Sequence, residues 1–406
     1  MQSNAMQTDE SGEMGNILQG YGPYMGMGMG IGFGREGESS SSNNMDPRIW
    51  SMLPLKLINR VLAFLPLPSF FRLRVVCKHW YRLMFSDSFL EVCGEVSPPR
   101  PWFLLFRRGI WTEGFLYDPF SKTWFKISFA FLPPRFTVAA SSGGLLCWVP
   151  EEAGCKTMII CNPLTENFML LPPTMKERFV PSVGLVVDRA TKSYKIVVAG
   201  DDLISPFAVK NLTTEVFDST CPYWRMSGPL PRLCSLESGK MTYTNGFLYC
   251  MNYSPFSVLA YDISQGVWSK IQAPMRRFLK TPNLVECRGR LVLVAAVQKS
   301  KLNVPKSIRM WGLQQSKNGW VELERMPQDL YEEFMRVSEE EAFTCIGHGN
   351  IILITMSKSP EMLMYDFYEK TWCWIPHCPF VDSREGLQGF PFDPRLEASA
   401  TAMEMC

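Results

Sequence analysis

The chain of 406 residues has only three histidines, no long apolar run and almost no net charge. No segment reaches the roughly 20 apolar residues of a membrane-spanning helix, and the N-terminus lacks the basic-then-apolar layout of a secretion signal. We therefore expect a protein of the nucleus, or else of the cytoplasm, with no membrane partner. Because 41 basic residues are set against 39 acidic ones, attraction to nucleic acid would require a local basic patch.

Thirteen cysteines, an odd number without a paired CxxC spacing, favour reduced and mostly buried thiols over a disulfide framework. Three Cys–His neighbours resemble metal pairs, but none has the four-ligand spacing of a zinc site. A copper site would need more imidazoles than the β-rich part of the chain supplies. We therefore expect a non-catalytic protein without metal or cofactor. The Cys–His neighbours are Cys77 with His79, Cys345 with His348, and His377 with Cys378.

Residues 1–44 are rich in Gly, Met, Ser and Asn and contain alternating glycines from Gly26 to Gly34. Such a composition offers little apolar surface to offset the entropy of ordering, so it predicts a disordered tail. The glycines do not form a dinucleotide fingerprint, because no strand precedes them and no helix follows.

Residues 46–89 have the periodicity of short amphipathic helices. Pro54 precedes a helical apolar repeat from Leu57 to Leu65, Pro66 and Pro68 end it, and a second apolar set follows. Two or three such helices carry more apolar surface than about 45 residues can bury alone. The segment therefore predicts a docking module with a partner, and the alternative is a helical cap on a larger domain.

These residues resemble the F-box family in order and spacing. The resemblance is carried by the Leu53-Pro54 pair, the helix to Leu65 and the run 74–80 that ends at Trp80. It implies that residues 45–93 form a small three-helix F-box that binds a Skp-type adaptor and, through it, a cullin ubiquitin ligase. The implied adaptor-binding residues are Leu53, Pro54, Leu57, Ile58, Leu62, Val76 and Trp80.

After residue 101, strand-like runs alternate with Gly, Asn and Asp turns, and an aromatic hairpin pattern repeats. In five of six units an aromatic or Cys residue precedes an Asp or Asn, and an aromatic follows at a spacing of seven. Residues at that spacing can lie opposite each other across an antiparallel hairpin. The five pairs are Tyr117 with Trp124, Cys161 with Phe168, Phe217 with Trp224, Tyr261 with Trp268, and Tyr365 with Trp372; the sixth unit, Trp311 to Trp320, has a longer loop.

Two hairpins per unit give a four-stranded blade, and six blades account for residues 94–396. The first blade lacks an inner strand, and the run 389–395 copies the pattern of the inner strand at 184–189. We therefore predict a mainly β, six-bladed propeller closed by a strand near 388–395 and followed by a tail at 397–406. The units resemble degenerate kelch repeats; a β-sandwich or another propeller class is the alternative.

Short turns and long loops fall on opposite faces of such a propeller, and long loops on a rigid scaffold are common binding sites. The connection between blades four and five and one loop of blade five carry six basic residues and no acid, so we expect a basic patch that contacts phosphates or an acidic partner. The alternative is a solvated rim, and Phe278 between two of the cations could pack under its loop. The six residues are Arg276, Arg277, Lys280, Lys299, Lys301 and Lys306.

The long-loop segments 199–206, 233–241, 249–257, 271–278 and 300–306 are similar to those of plant F-box/kelch-repeat proteins. Members of that group act as co-regulators of the transcription factor LEAFY in flower development, in a complex where the propeller also touches DNA. The resemblance implies that the basic patch contacts DNA and that adjoining residues contact LEAFY. The implied partner-binding residues are Asp201, Asp202, Arg232, Lys240 and Tyr253. The alternative is a ubiquitin-ligase substrate receptor without DNA contact.

Overall fold

The computed structural model describes residues 52–73, 78–83, 85–96, 100–152, 154, 156–178, 181–201, 212–231, 234, 236, 239–253, 255–298, 306–314, 319–337, 342–382 and 385–401. The predicted tail at residues 1–44 lies outside these ranges.

Among the residues that the structure describes, the first unit has four short helices, one more than the sequence predicts: α1 (Leu55–Ala63), α2 (Leu67–Leu73), α3 (Lys78–Leu83) and α4 (Asp87–Val96). The carbonyl of Pro54 accepts the first backbone bonds of α1, and that of Ser86 accepts the first bonds of α4. Asp87 lies in the first turn of α4, where the helix dipole favours an acidic side chain. Phe70 of α2 stacks on Phe89 of α4 at 5.2 Å between ring centroids, which joins the helices around one core.

The described part of the chain then has twenty-five strands, interrupted by one helix, α5 (Gln328–Val337), in the acidic connection after the fifth blade. In chain order they are β1 (Trp102–Arg107), β2 (Glu113–Asp118), β3 (Thr123–Ser128), β4 (Phe136–Ser142), β5 (Leu145–Pro150), β6 (Ile159–Asn162), β7 (Asn167–Leu170), β8 (Ser182–Asp188), β9 (Ser193–Asp201), β10 (Leu212–Asp218), β11 (Cys221–Met226), β12 (Gly239–Lys240), β13 (Thr242–Thr244), β14 (Phe247–Tyr253), β15 (Phe256–Asp262), β16 (Val267–Gln272), β17 (Leu279–Cys287), β18 (Arg290–Val297), β19 (Ser307–Gln314), β20 (Gly319–Arg325), β21 (Phe343–His348), β22 (Ile351–Met356), β23 (Met362–Asp366), β24 (Thr371–Trp374) and β25 (Leu387–Phe392).

The strands form six sheets, which are the six blades of a propeller. Blade 1 has the order β25-β1-β2-β3, and blades 2, 4, 5 and 6 contain β4 to β7, β13 to β16, β17 to β20 and β21 to β24. Blade 3 contains β8 to β11, with β12 added in parallel beside β8. The predicted six-bladed fold is therefore confirmed.

The last strand closes the ring. β25 pairs antiparallel with β1 from Trp102 opposite Phe392 to Arg107 opposite Leu387, and so takes the inner position of blade 1. An unpaired β1 would expose a strand edge, which invites association with other chains. The ring is thus closed by the pairing of β25 with β1 of blade 1.

The aromatic hairpins have the predicted geometry. All five pairs with a spacing of seven are opposite each other in register, and the Tyr117–Trp124 and Tyr365–Trp372 rings lie 4.7 and 4.6 Å apart. The outer Trp also donates to the preceding blade, as from Trp224 Nε1 to Pro172 O at 2.7 Å. In blade 5, Trp311 lies opposite Glu322 and Trp320 opposite Leu313, so that unit does not form the aromatic pair.

The strand directions define two faces. The turns between the first and second and between the third and fourth strands of each blade open on one face, which we call the short-turn face. The other connections, including α5, open on the long-loop face. A helix long and apolar enough to span a bilayer does not occur within the described ranges.

Candidate partner-binding surfaces

Four of the six predicted basic residues lie together on the long-loop face of blade 5. Arg276 and Arg277 are in the turn before β17, Lys280 is in β17, and Lys306 directly precedes β19; all four are exposed. Leu279 lies opposite Val297, which lies opposite Ser307, so the ends of β17 and β19 are two strand spacings apart, about 10 Å. We call these four residues the basic patch. Lys299 and Lys301 lie outside the described residues and stay predictions.

Buried contacts hold the turn that presents Arg276 and Arg277. Met275 has a positive φ of 45°, and its carbonyl accepts the Phe278 N–H at 2.8 Å. Phe278 is partly buried against the core of blades 4 and 5, so it packs under the turn. The buried Arg309 donates to Ser307 Oγ at 3.0 Å, and its Nη1 lies 4.0 Å from Met275 Sδ. The turn is therefore a supported structure rather than an open loop.

The neighbouring blades supply the rest of this face. Tyr253, predicted to contact a partner, is at the long-loop end of β14 and packs edge to face on Phe256 at 5.8 Å. Asp201 ends β9 at the same face. Asp202 and Arg232 lie outside the described residues. The predicted partner residues that the structure describes on this face are thus Asp201 and Tyr253.

The connection between blades 2 and 3 is held on the same face by a buried ion pair. Arg178 Nη1 lies 2.6 Å from Glu215 Oε1, and both side chains are buried. The Glu215 carboxylate also accepts the backbone N–H groups of Met175 and Lys176 at 2.7 and 2.9 Å. A buried carboxylate needs such partners because desolvation of an unpaired charge is costly. The pair fixes the course of this loop, and sequence reasoning missed it because its members are 37 residues apart.

Lys240 is not placed on the long-loop face, contrary to its prediction as a partner contact. The strand β12 runs through the central channel beside β8, and the Lys240 ammonium donates to the carbonyls of Cys345 and Gly389 at 3.3 Å. It also lies 5.4 Å from the ring centroid of Phe390. Burial lowers the pKa of Lys240 to about 8. Lys240 thus links blade 3 to the opposite wall of the channel, because the connection after β11 turns inward.

The channel contains a cavity of about 320 Å³ at its short-turn end, bordered by Lys240 and a charged group that sequence reasoning missed. Asp393 Oδ1 lies 3.1 Å from His348 Nε2, and Asp393 Oδ2 lies 3.0 Å from Arg189 Nη2. Burial opposes ionisation of Asp393, but His348 and Arg189 outweigh it and hold the pKa of the carboxyl below its usual value. Within the described ranges, no cluster of three or more His, Cys, Asp or Glu side chains is arranged to hold a metal.

The first helix carries an exposed apolar stripe. Leu57 and Val61 recur at helical spacing on the outer side of α1, Phe64 directly follows its last residue, and Leu57 is 49% exposed. By contrast, Leu62 is 4% exposed and belongs to the core, and Ile58 packs against that core. The sequence prediction therefore combined surface and core residues of one helix.

The other predicted adaptor contacts differ in exposure. Pro54 is exposed, and Leu53 and Trp80 are partly buried. Val76 lies outside the described residues. Large exposed apolar side chains on a small domain mark an interaction site.

Two family matches decide what this arrangement is. Residues 50–91 match the F-box domain, and residues 118–373, more than half of the chain, match the F-box associated beta propeller domain. The chain belongs to the F-box proteins with an associated β-propeller. This class of protein is the one that the sequence predicts from the short helices and the repeated blades.

Curated relatives support the same assignment. This F-box protein is 48% identical over 391 residues to Protein UNUSUAL FLORAL ORGANS of Arabidopsis thaliana, covering 88% of each chain. It is 37% identical over 398 residues to Protein ABERRANT PANICLE ORGANIZATION 1 of Oryza sativa subsp. indica, covering 89% of this chain and 92% of the relative. It is also 29% identical to the F-box/kelch-repeat protein At3g61590 of Arabidopsis thaliana, covering 86% and 90%.

In this F-box protein the F-box and the basic patch are attached to opposite faces of the propeller. The F-box joins the propeller at the start of β1, which is at the short-turn face, and shares an apolar cluster with blades 1 and 2. The basic patch is on the long-loop face. A partner at the patch would therefore not compete for space with an adaptor at α1.

Proposed function

We propose that this protein is a non-catalytic adaptor with two functions. Its F-box recruits a Skp-type adaptor and a cullin ubiquitin ligase, and its propeller acts in the nucleus as a co-regulator that holds the transcription factor LEAFY on DNA. In this proposal the basic patch, together with Lys299 and Lys301, contacts DNA phosphates. The adjoining loops, including those that carry Asp201 and Tyr253, contact LEAFY.

The observation that carries the proposal is the grouping of Arg276, Arg277, Lys280 and Lys306 at one edge of the long-loop face. Clustered cations that neutralise phosphates release counterions, so they bind DNA in a salt-dependent way without reading its sequence. Such a surface would add affinity to a complex whose sequence choice comes from the transcription factor.

A gel-shift titration tests the DNA contact. The patch variant changes Arg276, Arg277, Lys280 and Lys306 to Ala, and the matched control changes Lys122, Arg288, Arg290 and Lys370, all exposed on the short-turn face, to Ala. We expect the patch variant to weaken the LEAFY-dependent shift, and the slope of log affinity against log salt to fall in magnitude by up to about 3.6, since each phosphate contact contributes about 0.9. The control should keep both.

Two further measurements separate the components. Adaptor pull-down should be equal for the wild type and both variants, because the F-box is untouched. LEAFY pull-down without DNA should also persist in the patch variant. If the shift and its salt dependence are unchanged, the DNA contact is excluded, and the remaining function is a substrate receptor that binds a protein target for degradation.

A further inference from the structure

The segment after the closing strand, residues 393–401, crosses the short-turn face instead of leaving the propeller. The sequence predicts a tail from residue 397, yet Leu396 and Ala400 are buried. Tyr194 of β9 donates its hydroxyl to Ala400 O at 3.0 Å. The segment therefore reaches from blade 1 to blade 3.

One side chain of blade 2 holds the middle of this segment. Asn162 Nδ2 donates to the carbonyls of Arg395 and Ala398 at 2.9 and 2.8 Å, while Oδ1 accepts the N–H of Leu164 at 3.0 Å. The other four hairpins of this type have Asp at the same position, where only the acceptor is needed. An amide can donate and accept at once, whereas a carboxylate only accepts. The single Asn thus matches the single hairpin that the C-terminal segment crosses; the Asp residues are Asp118, Asp218, Asp262 and Asp366.

The turn between β4 and β5 is shaped for the same crossing. Gly144 has a φ of +89°, and a Cβ there would lie 2.9 Å from Arg395 Cβ. Arg395 Nε lies 2.6 Å from Glu397 Oε1, and its Nη1 lies 3.4 Å from Gly143 O. The ion pair holds the Glu397 carboxylate next to Arg395.

Glu397 lies against the last helix of the F-box. A Cβ added to Gly94 of α4 would be 3.4 Å from Glu397 Cγ, so the Glu397 side chain lies beside this helix. Burial, and then the nearby Glu397 charge, raise the pKa of the Cys93 thiol to about 12. Leu396 shares an apolar cluster with Cys93 and Phe89.

Burial of a turn residue shows that this part of the short-turn face is covered. Leu164 is 0% exposed, whereas the residues at the same turn position in blades 1 and 6, Phe120 and Tyr368, are 64% and 74% exposed. Leu164 belongs to the cluster that contains Leu396 and Phe89. The cover consists of the F-box and the C-terminal segment.

We propose that residues 393–401 are the seat that holds the F-box in one orientation on the propeller. Only five residues separate Val96, which ends α4, from Trp102, which begins β1, and a covalent connection alone does not fix an angle. With the seat in place, the F-box stays at the short-turn face, opposite the long-loop face. The seat therefore sets where a propeller-bound partner stands relative to the ligase, whether or not that partner carries DNA.

Hydrogen exchange on the full chain bound to its Skp-type adaptor tests the seat. Asn162→Asp keeps the acceptor for the turn and removes the donor to the segment, and Glu397→Ala removes the contact with α4. We expect amides of α4 and of residues 395–401 to exchange about tenfold faster, which corresponds to about 1.4 kcal/mol of lost protection. X-ray scattering should show a larger radius of gyration. Amides of β22, on blade 6, should be unchanged and report that the propeller is folded.

The matched control removes one side-chain amide hydrogen bond and one ion pair elsewhere on the short-turn face. Asn245→Gly removes the bond to Gly289 O, and Lys195→Ala removes the pair with Asp218. The bonds that these changes remove do not involve residues 393–401, so exchange in α4 should not change. If residues 395–401 exchange faster in the test variants while α4 and the radius of gyration stay as in the wild type, the F-box is held by other contacts and the proposal is wrong. Should Asn162→Asp unfold the propeller, Glu397→Ala alone decides.

Discussion

Lys240 shows how one residue in the channel ties stability to pH. Its ammonium bridges carbonyls of blades 6 and 1, but burial disfavours the charge and lowers its pKa from 10.5 to about 8. Between these two pH values the unfolded chain binds more protons than the folded one. The contribution of Lys240 to the free energy of unfolding therefore rises with pH across this window and is constant below about pH 8.

We expect Lys240→Met to remove this dependence. Free energies of unfolding of the wild type and the variant, obtained from urea titrations between pH 7.5 and 10, should differ by an amount that changes in favour of the wild type as pH rises, by at most a few kcal/mol at about 1.4 kcal/mol per pKa unit. Groups common to both proteins cancel in the difference. The exposed Lys192→Met is the control and should follow the wild type; parallel curves for Lys240→Met would contradict the pKa shift.

Among the elements, α1 carries both exposed residues, which we propose bind the adaptor, and buried residues of the F-box core. Leu57→Ala should weaken adaptor binding without changing the free energy of unfolding, since its side chain is half exposed. Leu62→Ala should destabilise the F-box by about 2–5 kcal/mol, the usual cost of a cavity at a buried leucine. Titration with the Skp-type adaptor and thermal unfolding of the same two variants check this division. Equal loss of stability in both would mean that Leu57 is also a core residue.

Elements whose residues follow a strong local periodicity could be predicted from the sequence, and elements that depend on contacts between distant residues could not. The spacing from Tyr117 to Trp124 requires only a hairpin, so it gives the register directly. In the F-box, the helical period indicates that α1 is amphipathic, but it does not say which side faces α4, so Leu62 and Leu57 were grouped together.

The candidate sites divide in the same way. Arg276 and Lys306 could be brought together from blade topology, because strand pairing fixes the ends of β17 and β19. Lys240 could not be placed, because nothing local indicates that the connection after β11 enters the channel. The C-terminal segment beyond β25 was also missed, because its order comes from Asn162 and Tyr194, more than 200 residues away.

For the whole molecule, the ring depends on how closely β25 fits between its neighbours. Gly389 lies where an added Cβ would be 2.8 Å from both Ile346 Cδ1 of blade 6 and the Leu104 carbonyl of β1. A side chain there must push apart two blades or break the pairing that closes blade 1. Its neighbour Gln388 is only partly buried, so the same side chain meets less resistance one position earlier.

Gly389→Val should therefore destabilise the entire propeller, and Gln388→Val should not. We expect the free energy of unfolding to fall by about 1–3 kcal/mol, the usual cost of overpacking. If closure couples all six blades, they unfold in one transition, and the loss appears as a lower urea midpoint with an unchanged slope. Hydrogen exchange should then rise together in β9, β14 and β22, which belong to blades 3, 4 and 6. Faster exchange confined to β1 and β25 would show instead that each blade holds its own strands and that closure protects only the edge of blade 1.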